Sequence, residues 1–282
     1  MKPFRTHLDV GFLRRPCLCA ALSLIMLLLA GVWGCNSGAS PAVRAVCVAG
    51  STSVQPFAEK LAEIFMQQEQ DFRVDVQGGG SSAGIQAAIQ GAANLGASSR
   101  ELIGPEKQLV EIPIAYDGIA VIVHPSNPIT NLSVAQIKQI FTGQITNWQN
   151  LGQMPREIDA INREEGSGTR EAFEHLVMGK SEVSPAAMVQ DSNGAVREIV
   201  AGDPNAIGYI SAGLVDNRVK ALTIDGVAPT PENIKNHTYQ LRRRFLLVSK
   251  QAPDAACKKF IDFILSPQGQ QILEKEGLVG IK

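Results

Sequence analysis

Short apolar runs alternate along the chain with amphipathic segments, and the joints between them are rich in glycine and hydroxyl side chains. Residues 46–49 have the sequence V-C-V-A, and a Gly-Ser-Thr-Ser turn joins them to a segment with apolar residues every three or four positions. Residues 74–77 begin the same arrangement again, with a turn of three glycines and two serines. Such patterns predict strand, turn and helix. We therefore predict an α/β fold.

Two apolar runs predict how the chain is divided. Residues 112–124 are long for one strand, and residues 244–248 form a second run near the end of the chain. We expect both to cross between two lobes, with a hinge around residues 116–120 and 241–247. The predicted lobes are residues 45–118 with 245–282, and residues 119–244.

Further elements follow from the same patterns. We predict a helix over residues 134–141, a strand over 206–210, and a helix or loop over 232–239. Residues 253–276 are expected to form one or two amphipathic helices, with a break near Pro267 and Gly269.

The first 34 residues have the pattern of a targeting segment. Four basic residues precede an uncharged apolar run that ends at Gly34-Cys35, and a polar tether follows as far as residue 44. This resembles a bacterial lipoprotein signal, which implies that Cys35 is lipidated and anchors the protein to a membrane in the cell envelope. Val32 and Trp33 depart from that pattern. An ordinary cleaved signal or an uncleaved anchor therefore remains an alternative.

Charge and cysteine content restrict the classes of function. The chain has a net charge of −1 and no basic run beyond Arg242-Arg243-Arg244, which disfavours nucleic-acid binding. Two of the five cysteines lie in the targeting segment and Cys35 follows it directly; the other two, Cys47 and Cys257, could pair or stay as buried thiols. No C-x-x-C motif and no His/Cys cluster is present, so we expect neither a metal nor a cofactor.

Residues 161–173 carry the strongest chemical signal. Arg163 precedes a Gly-Ser-Gly-Thr turn at the start of an amphipathic helix. A helix start offers unpaired N–H groups and partial positive charge, and arginine adds a full charge, so the segment predicts an anion site. The alternative is that Ser167 or Thr169 only caps the helix and that Arg163 pairs with Glu164 or Glu165.

The turns at residues 50–53 and 78–84 resemble this one. Three helix starts of this kind predict one anion site beyond the carboxyl ends of the strands. Independent capping of three helices is the alternative.

Six phrases in order make the chain similar to a known family. They are A-G-S-T-S-V-Q-P at 49–56, G-G-G-S-S-A-G-I at 78–85, G-A-S-S-R at 96–100, I-F-T-G-Q-I-T-N-W at 140–148, N-R-E-E-G-S-G-T-R at 162–170 and I-G-Y-I-S at 207–211. The chain resembles the phosphate-binding proteins of bacterial phosphate ABC importers. The resemblance implies a periplasmic-binding-protein type II fold and a monomer without catalysis that binds inorganic phosphate outside the cytoplasm and docks on a permease.

The resemblance also implies the ligand contacts. They fall on Thr52, Ser53, Ser81, Ser99, Arg163, Ser167, Gly168 and Thr169. Many family members have an aspartate, which accepts the ligand's proton, where this chain has Ser99. Ser82, Arg100 and Asp117 are further candidates: Asp117 as that acceptor, and Arg100 as a second cation or a solvated surface residue. Selectivity for phosphate over sulfate therefore stays open.

Two other functions remain alternatives. The protein could be a receptor for sulfate or molybdate, or a phosphate sensor. In addition, Gly80-Ser81-Ser82-Ala83-Gly84 matches the G-x-S-x-G elbow of serine hydrolases, with Ser82 as nucleophile. That enzyme would need a histidine from His124, His175 or His237, and it would leave the other two turns unexplained.

Overall fold

The computed structural model describes residues 43–281. The predicted signal segment, the lipidation of Cys35 and most of the tether lie outside the described residues. Among the helices that are described, none combines the length and the apolar character needed to cross a membrane.

The described chain alternates strands and helices. The strands are β1 (Arg44–Gly50), β2 (Phe72–Gly78), β3 (Leu95–Ser98), β4 (Val110–Val123), β5 (Asn131–Leu132), β6 (Asp159–Arg163), β7 (Met188–Gln190), β8 (Ala206–Ser211), β9 (Lys220–Ala221), β10 (Thr223–Ile224) and β11 (Arg242–Ser249). The helices are α1 (Gln55–Gln68), α2 (Ser81–Gln90), α3 (Val134–Phe141), α4 (Gly168–Phe173), α5 (Asn193–Gly202), α6 (Pro231–Lys235), α7 (Ala255–Leu265) and α8 (Pro267–Lys275).

A mixed sheet of nine strands organises the described residues. Its order is β2-β1-β3-β11-β4-β8-β6-β7, with β9 paired to β4, while β5 and β10 form a separate pair. Strands β1, β2 and β3 are parallel, and so are β6, β7 and β8. The antiparallel strands β11 and β4 join these two parallel groups. The predicted α/β fold is confirmed.

Two large apolar clusters form most of the core. The first draws on residues 46–115 and 245–278, and the second on residues 119–241 with Val279. Strand β4 takes part in both, through Ile114 and Ala115 in the first cluster and Ile119 in the second. Burial of these side chains is the main favourable term in folding. The proposed division into two hinged lobes stays a prediction.

Local patterns predicted the element positions well. Helix α3 has the predicted bounds, and β4 is a single strand of 14 residues. The break between α7 and α8 falls at Ser266, whose hydroxyl accepts from the Gly269 N–H, with Pro267 at the first helical position. Proline suits that position because it has no N–H to leave unpaired.

Both cysteines of the described region are free thiols. Cys257 is buried in the first cluster, and burial raises its pKa to about 12. The structure therefore shows the thiol alternative and not the disulfide.

Candidate functional site

The three predicted turns lie together at the carboxyl ends of their strands. The turn after β1 meets the start of α4, where the hydroxyl oxygens of Ser53 and Thr169 are 2.7 Å apart. The start of α2 lies against the turn between β6 and α4, where the Ser82 N–H donates to the Gly166 carbonyl at 3.1 Å. Nearly all of the predicted ligand contacts are buried; Ser53, Ser81, Ser99, Arg163, Ser167 and Thr169 are each at most 1% exposed.

Gly168 allows the turns to come this close. A Cβ atom on Gly168 would lie 2.1 Å from the Ser81 hydroxyl oxygen and 2.7 Å from that of Ser99. The Ser81 Cβ would also lie only 2.9 Å away, so rotation of the hydroxyls alone could not relieve the contact, and the close approach requires glycine. The residue is also the first of α4, so its N–H is among those that a helix leaves unpaired.

Arg163 is fully buried at the end of β6 and leaves one donor group free. Its Nε and Nη2 donate to Glu164 at 2.8 and 2.9 Å, and Nη2 also donates to the Thr52 hydroxyl at 3.1 Å. The pairing with Glu164 that the sequence left open is therefore present. Nη1, however, is buried and has no hydrogen-bond partner. Since such groups normally find one, Nη1 is a donor available to a ligand.

Ser99 lies in a small hydroxyl cluster with Ser51 and Ser81. Its hydroxyl accepts from Ser51 at 2.8 Å and lies 3.4 Å from that of Ser81, which accepts from the Ser99 N–H at 3.1 Å. The carboxylate expected from the family pattern is thus replaced here by hydroxyl groups, which can donate or accept.

Asp117 and Arg243 form a buried ion pair beside these hydroxyls. They are register partners on β4 and β11, and Arg243 Nη2 lies 2.8 Å from Asp117 Oδ2. The other Asp117 oxygen accepts from the Ser211 hydroxyl at 2.9 Å. Burial raises the pKa of Asp117 above its ordinary value, and Arg243 opposes that rise. In the structure Asp117 contacts Arg243, and Arg243 in turn donates to Ser53 and Thr169.

Sequence reasoning missed Asn193, the first residue of α5. Its side-chain amide donates to the hydroxyls of Thr52 and Ser53 at 3.1 and 2.9 Å. A signal was present, because Ser192-Asn193-Gly194 precedes apolar residues at helical spacing and Ser192 caps the helix. That turn resembles the other three, apart from having only one hydroxyl residue.

Arg100 and Ser82 have mainly carboxylate neighbours. Arg100 is 5% exposed, so the solvated alternative is wrong. Its guanidinium donates to Glu106 at 2.6 Å, and its Nε lies 2.6 Å from Glu171 at an angle unlike that of a hydrogen bond. The Ser82 hydroxyl donates to Glu171 and accepts from Arg100 at 3.1 and 3.0 Å, and neither partner is the histidine that a hydrolase elbow requires.

Together these groups form a site suited to a small oxyanion. The donors are hydroxyls, the free Arg163 Nη1 and the backbone N–H groups that a helix start leaves without an intrahelical partner. Glu164 and Asp117 balance the charges of Arg163 and Arg243. An anion held here would depend on directed dipoles more than on excess positive charge. Among the residues that the structure describes, no group of three acidic, His or Cys side chains could hold a metal.

Comparison with known proteins agrees with this class of site. Residues 36–268 match the family model described as PBP superfamily domain. The phosphate-binding protein PstS of Bacillus subtilis is 32% identical over 252 residues, which cover 86% of this chain and 83% of that protein.

Two solved structures are also similar. One is a putative phosphate ABC transporter substrate-binding protein from Clostridium perfringens with bound phosphate. It is 46% identical to this chain with a TM-score of 0.83, and the match covers 85% of this chain and all of that one. The other is an ABC-type phosphate transport receptor from Vibrio cholerae, with 38% identity, a TM-score of 0.70, and coverage of 83% and 99%. The chain belongs to the PBP superfamily and, within it, to the PstS family of phosphate-binding proteins.

Proposed function

We propose that this protein binds inorganic phosphate outside the cytoplasm and delivers it to an ABC-type phosphate importer, without catalysing a reaction. The observation that carries the proposal is the free Arg163 Nη1, a buried donor with no partner among clustered hydroxyls. A tetrahedral oxyanion gives that donor an acceptor. Membership of the PstS family and the bound phosphate of the Clostridium perfringens relative support phosphate as that ion.

The proposed ligand contacts come from four turns. Thr52 and Ser53 follow β1, Ser81 begins α2, and Ser99 follows β3. The turn between β6 and α4 adds the remaining contacts, which are Arg163, Ser167, Gly168 and Thr169. Asp117 acts in this proposal through Arg243, and Arg100 with Ser82 supports the turns through Glu171.

Ligand capture is proposed to involve a hinge. Strand β4 runs through both apolar clusters, and its register with β11 shifts between Phe245 and Leu246. Bending at these two strands would bring residues 119–244 onto residues 45–118 and 245–282. Closure of this kind is a common response of two-lobed proteins to a ligand.

A lipid on Cys35 is proposed to keep the protein at the membrane, facing the periplasm or the cell exterior. The tether to residue 44 would let the monomeric protein reach a permease. Labelling of cells with radioactive palmitate tests this part separately: Cys35→Ala should abolish labelling and release the protein from the membrane fraction. Labelling that survives the substitution would contradict it.

The central experiment is calorimetric titration of the purified protein, stripped of bound ligand, with phosphate and then sulfate. Tight binding of phosphate and little heat from sulfate would support the proposal. Equal binding of both would indicate a general oxyanion receptor, and no binding of either would refute the site. The selectivity is informative because phosphate carries a proton at neutral pH and sulfate carries none.

A further inference from the structure

Three hydroxyls of the proposed phosphate site are surrounded by donors on the protein side. They belong to Thr52, Ser53 and Thr169, and the donors belong to Arg163, Asn193 and Arg243. A hydroxyl has one hydrogen to donate and two lone pairs that accept. Counting which of these the protein already uses shows what each hydroxyl can offer to a ligand.

The orientation of the Asn193 amide can be fixed first. Its Oδ1 accepts from the Ser211 backbone N–H at 3.1 Å. A backbone N–H can only donate, so the amide oxygen must face Ser211 and the amide nitrogen must face the hydroxyls. Nδ2 then donates to Thr52 at 3.1 Å and to Ser53 at 2.9 Å. The guanidinium groups of Arg163 and Arg243 likewise have no acceptor.

Both lone pairs of each of the three hydroxyls are already in use. Thr52 accepts from Asn193 and from Arg163 at 3.1 Å, which uses both of its lone pairs. Ser53 accepts from Asn193 and from Arg243 at 3.2 Å, so it can only donate to Thr169. Thr169 accepts from Ser53 and from Arg243 at 2.9 Å. Thr52 and Thr169 are each left with one hydrogen and no lone pair.

The serines on the other side of the site keep acceptor capacity. Ser99 accepts from Ser51, Ser81 accepts from the Ser99 N–H, and Ser167 accepts from the Arg170 N–H at 3.3 Å. Ser167 keeps one lone pair. The Ser81 and Ser99 hydroxyls lie 3.4 Å apart, so a hydrogen bond between them uses a second lone pair on one of the two, and the other keeps one. A ligand O–H group could donate to Ser167 or to one of these two serines.

We infer that Asn193 and Arg243 are specificity-determining positioning residues that hold Thr52 and Thr169 as obligatory donors. The ligand oxygens facing the two threonines are then ionised, and the protonated oxygen of phosphate faces Ser81, Ser99 and Ser167. The inference rests on the proposed function. It also predicts that the dianion, with one proton, binds better than the monoanion, because Arg163 Nη1 is a further group that can only donate and favours a third ionised oxygen.

Other groups around the hydroxyls must be considered in a pH experiment. The charged ones are Arg163 with Glu164, and Arg243 with Asp117. The Tyr209 hydroxyl lies behind Arg163, where it accepts from the backbone N–H, and burial raises its pKa, so it stays neutral. Thermal unfolding of the ligand-free protein at each pH reports any titration that disturbs the fold.

The test is the number of protons released when phosphate binds at about pH 6, where most free phosphate is the monoanion. Binding enthalpies in buffers of different ionisation enthalpy give that number. For the unmodified protein we expect close to one proton, together with an affinity that falls about tenfold per pH unit on further acidification. Binding without proton release would overturn the inference, and no phosphate binding at any pH would instead overturn the proposed function.

Variants of Asn193 and Arg243 test whether these two residues cause the proton release. In Asn193→Ala the hydroxyls of Thr52 and Ser53 regain a lone pair, so we expect clearly less proton release and about tenfold weaker binding at pH 8. Arg243→Lys keeps the charge but cannot reach Asp117, Ser53 and Thr169 together, and we expect the same direction of change. Arg73→Lys is the matched control, since Arg73 is exposed on β2 and pairs with Asp75 instead, and it should behave as the unmodified protein. Proton release that stays unchanged in both Asn193→Ala and Arg243→Lys would refute their role.

Discussion

Two buried arginines lie beside the same glycine-rich turns, and their surroundings differ. Arg163 faces one carboxylate, hydroxyls and backbone carbonyls, and it retains a free Nη1. Arg100 faces two carboxylates, those of Glu106 and Glu171, so the charge around it is negative overall. Both residues lie at or just after the end of a strand. Arg100 Nε also lacks a hydrogen bond, but it lies 2.6 Å from Glu171, so only Arg163 has a donor that no carboxylate occupies. The local partners of a buried arginine therefore decide whether it binds a ligand or stabilises a turn.

Removal of the Arg163 guanidinium should give the largest effect on binding. Arg163→Met leaves a desolvated anion short of a charged donor, and we expect about 2–4 kcal/mol of lost phosphate affinity. Calorimetric titration measures this loss. Arg156→Met, which changes an exposed arginine far from the turns, is the control. Equal affinities for the two variants would remove Arg163 from the site.

A methyl group at Gly168 tests the close approach of the turns. Gly168→Ala places a carbon against the hydroxyls of Ser81 and Ser99, and we expect about 1–3 kcal/mol of lost affinity from the displaced turn. Gly202→Ala is the matched control because its added carbon would meet no atom within 4 Å. The comparison is made by titration with phosphate. Undiminished binding by Gly168→Ala would show that the turns move apart without cost.

Arg100→Met should lower the stability of the fold with little effect on phosphate affinity, whereas Arg163→Met should mainly lower the affinity. Glu106 and Glu171 would lose their cation, and we expect about 1–3 kcal/mol of lost unfolding free energy, less than for a fully buried pair because Glu171 is partly exposed. Phosphate affinity should change by less than about threefold. Urea unfolding and calorimetry give the two quantities. A large loss of affinity with normal stability would move Arg100 into the ligand shell.

Replacing either of two helix-capping serines by alanine should give the smallest effect on stability. Ser133 and Ser167 each accept from the N–H three residues later, at 3.1 and 3.3 Å. Alanine at either position should lower the unfolding free energy by about 1 kcal/mol. Only Ser167→Ala should also weaken phosphate binding. If both variants bind normally, Ser167 is a cap and nothing more.

Features that depend on residues close together in the chain could be predicted from the sequence. The helix Val134–Phe141, the turns around Ser81 and Gly168 and the buried Arg163 all follow from local periodicity and turn chemistry. The family resemblance added Ser99 as the replacement for an acidic acceptor.

The partners of Arg243 could not be predicted in this way. Arg242, Arg243 and Arg244 form a basic run that is typical of a solvated segment, and only strand alternation distinguishes the middle one. Its position opposite Asp117 depends on the register between β4 and β11, which residues far apart in the chain decide together. Asn193 was missed because its turn has a single hydroxyl residue, Ser192, whereas the predicted turns have two or more.

The distribution of the two apolar clusters along the chain has a consequence for folding order. The second cluster is almost contiguous, whereas the first needs residues 245–278 to pack against residues 46–115. As the chain emerges N-terminus first, residues 46–115 must therefore remain unpacked until the whole second cluster has followed. Closing so long a loop is slow, and unpaired strands exposed in the meantime are prone to aggregate. Efficient folding of this protein should accordingly depend on keeping the N-terminal part unfolded until the last helices arrive.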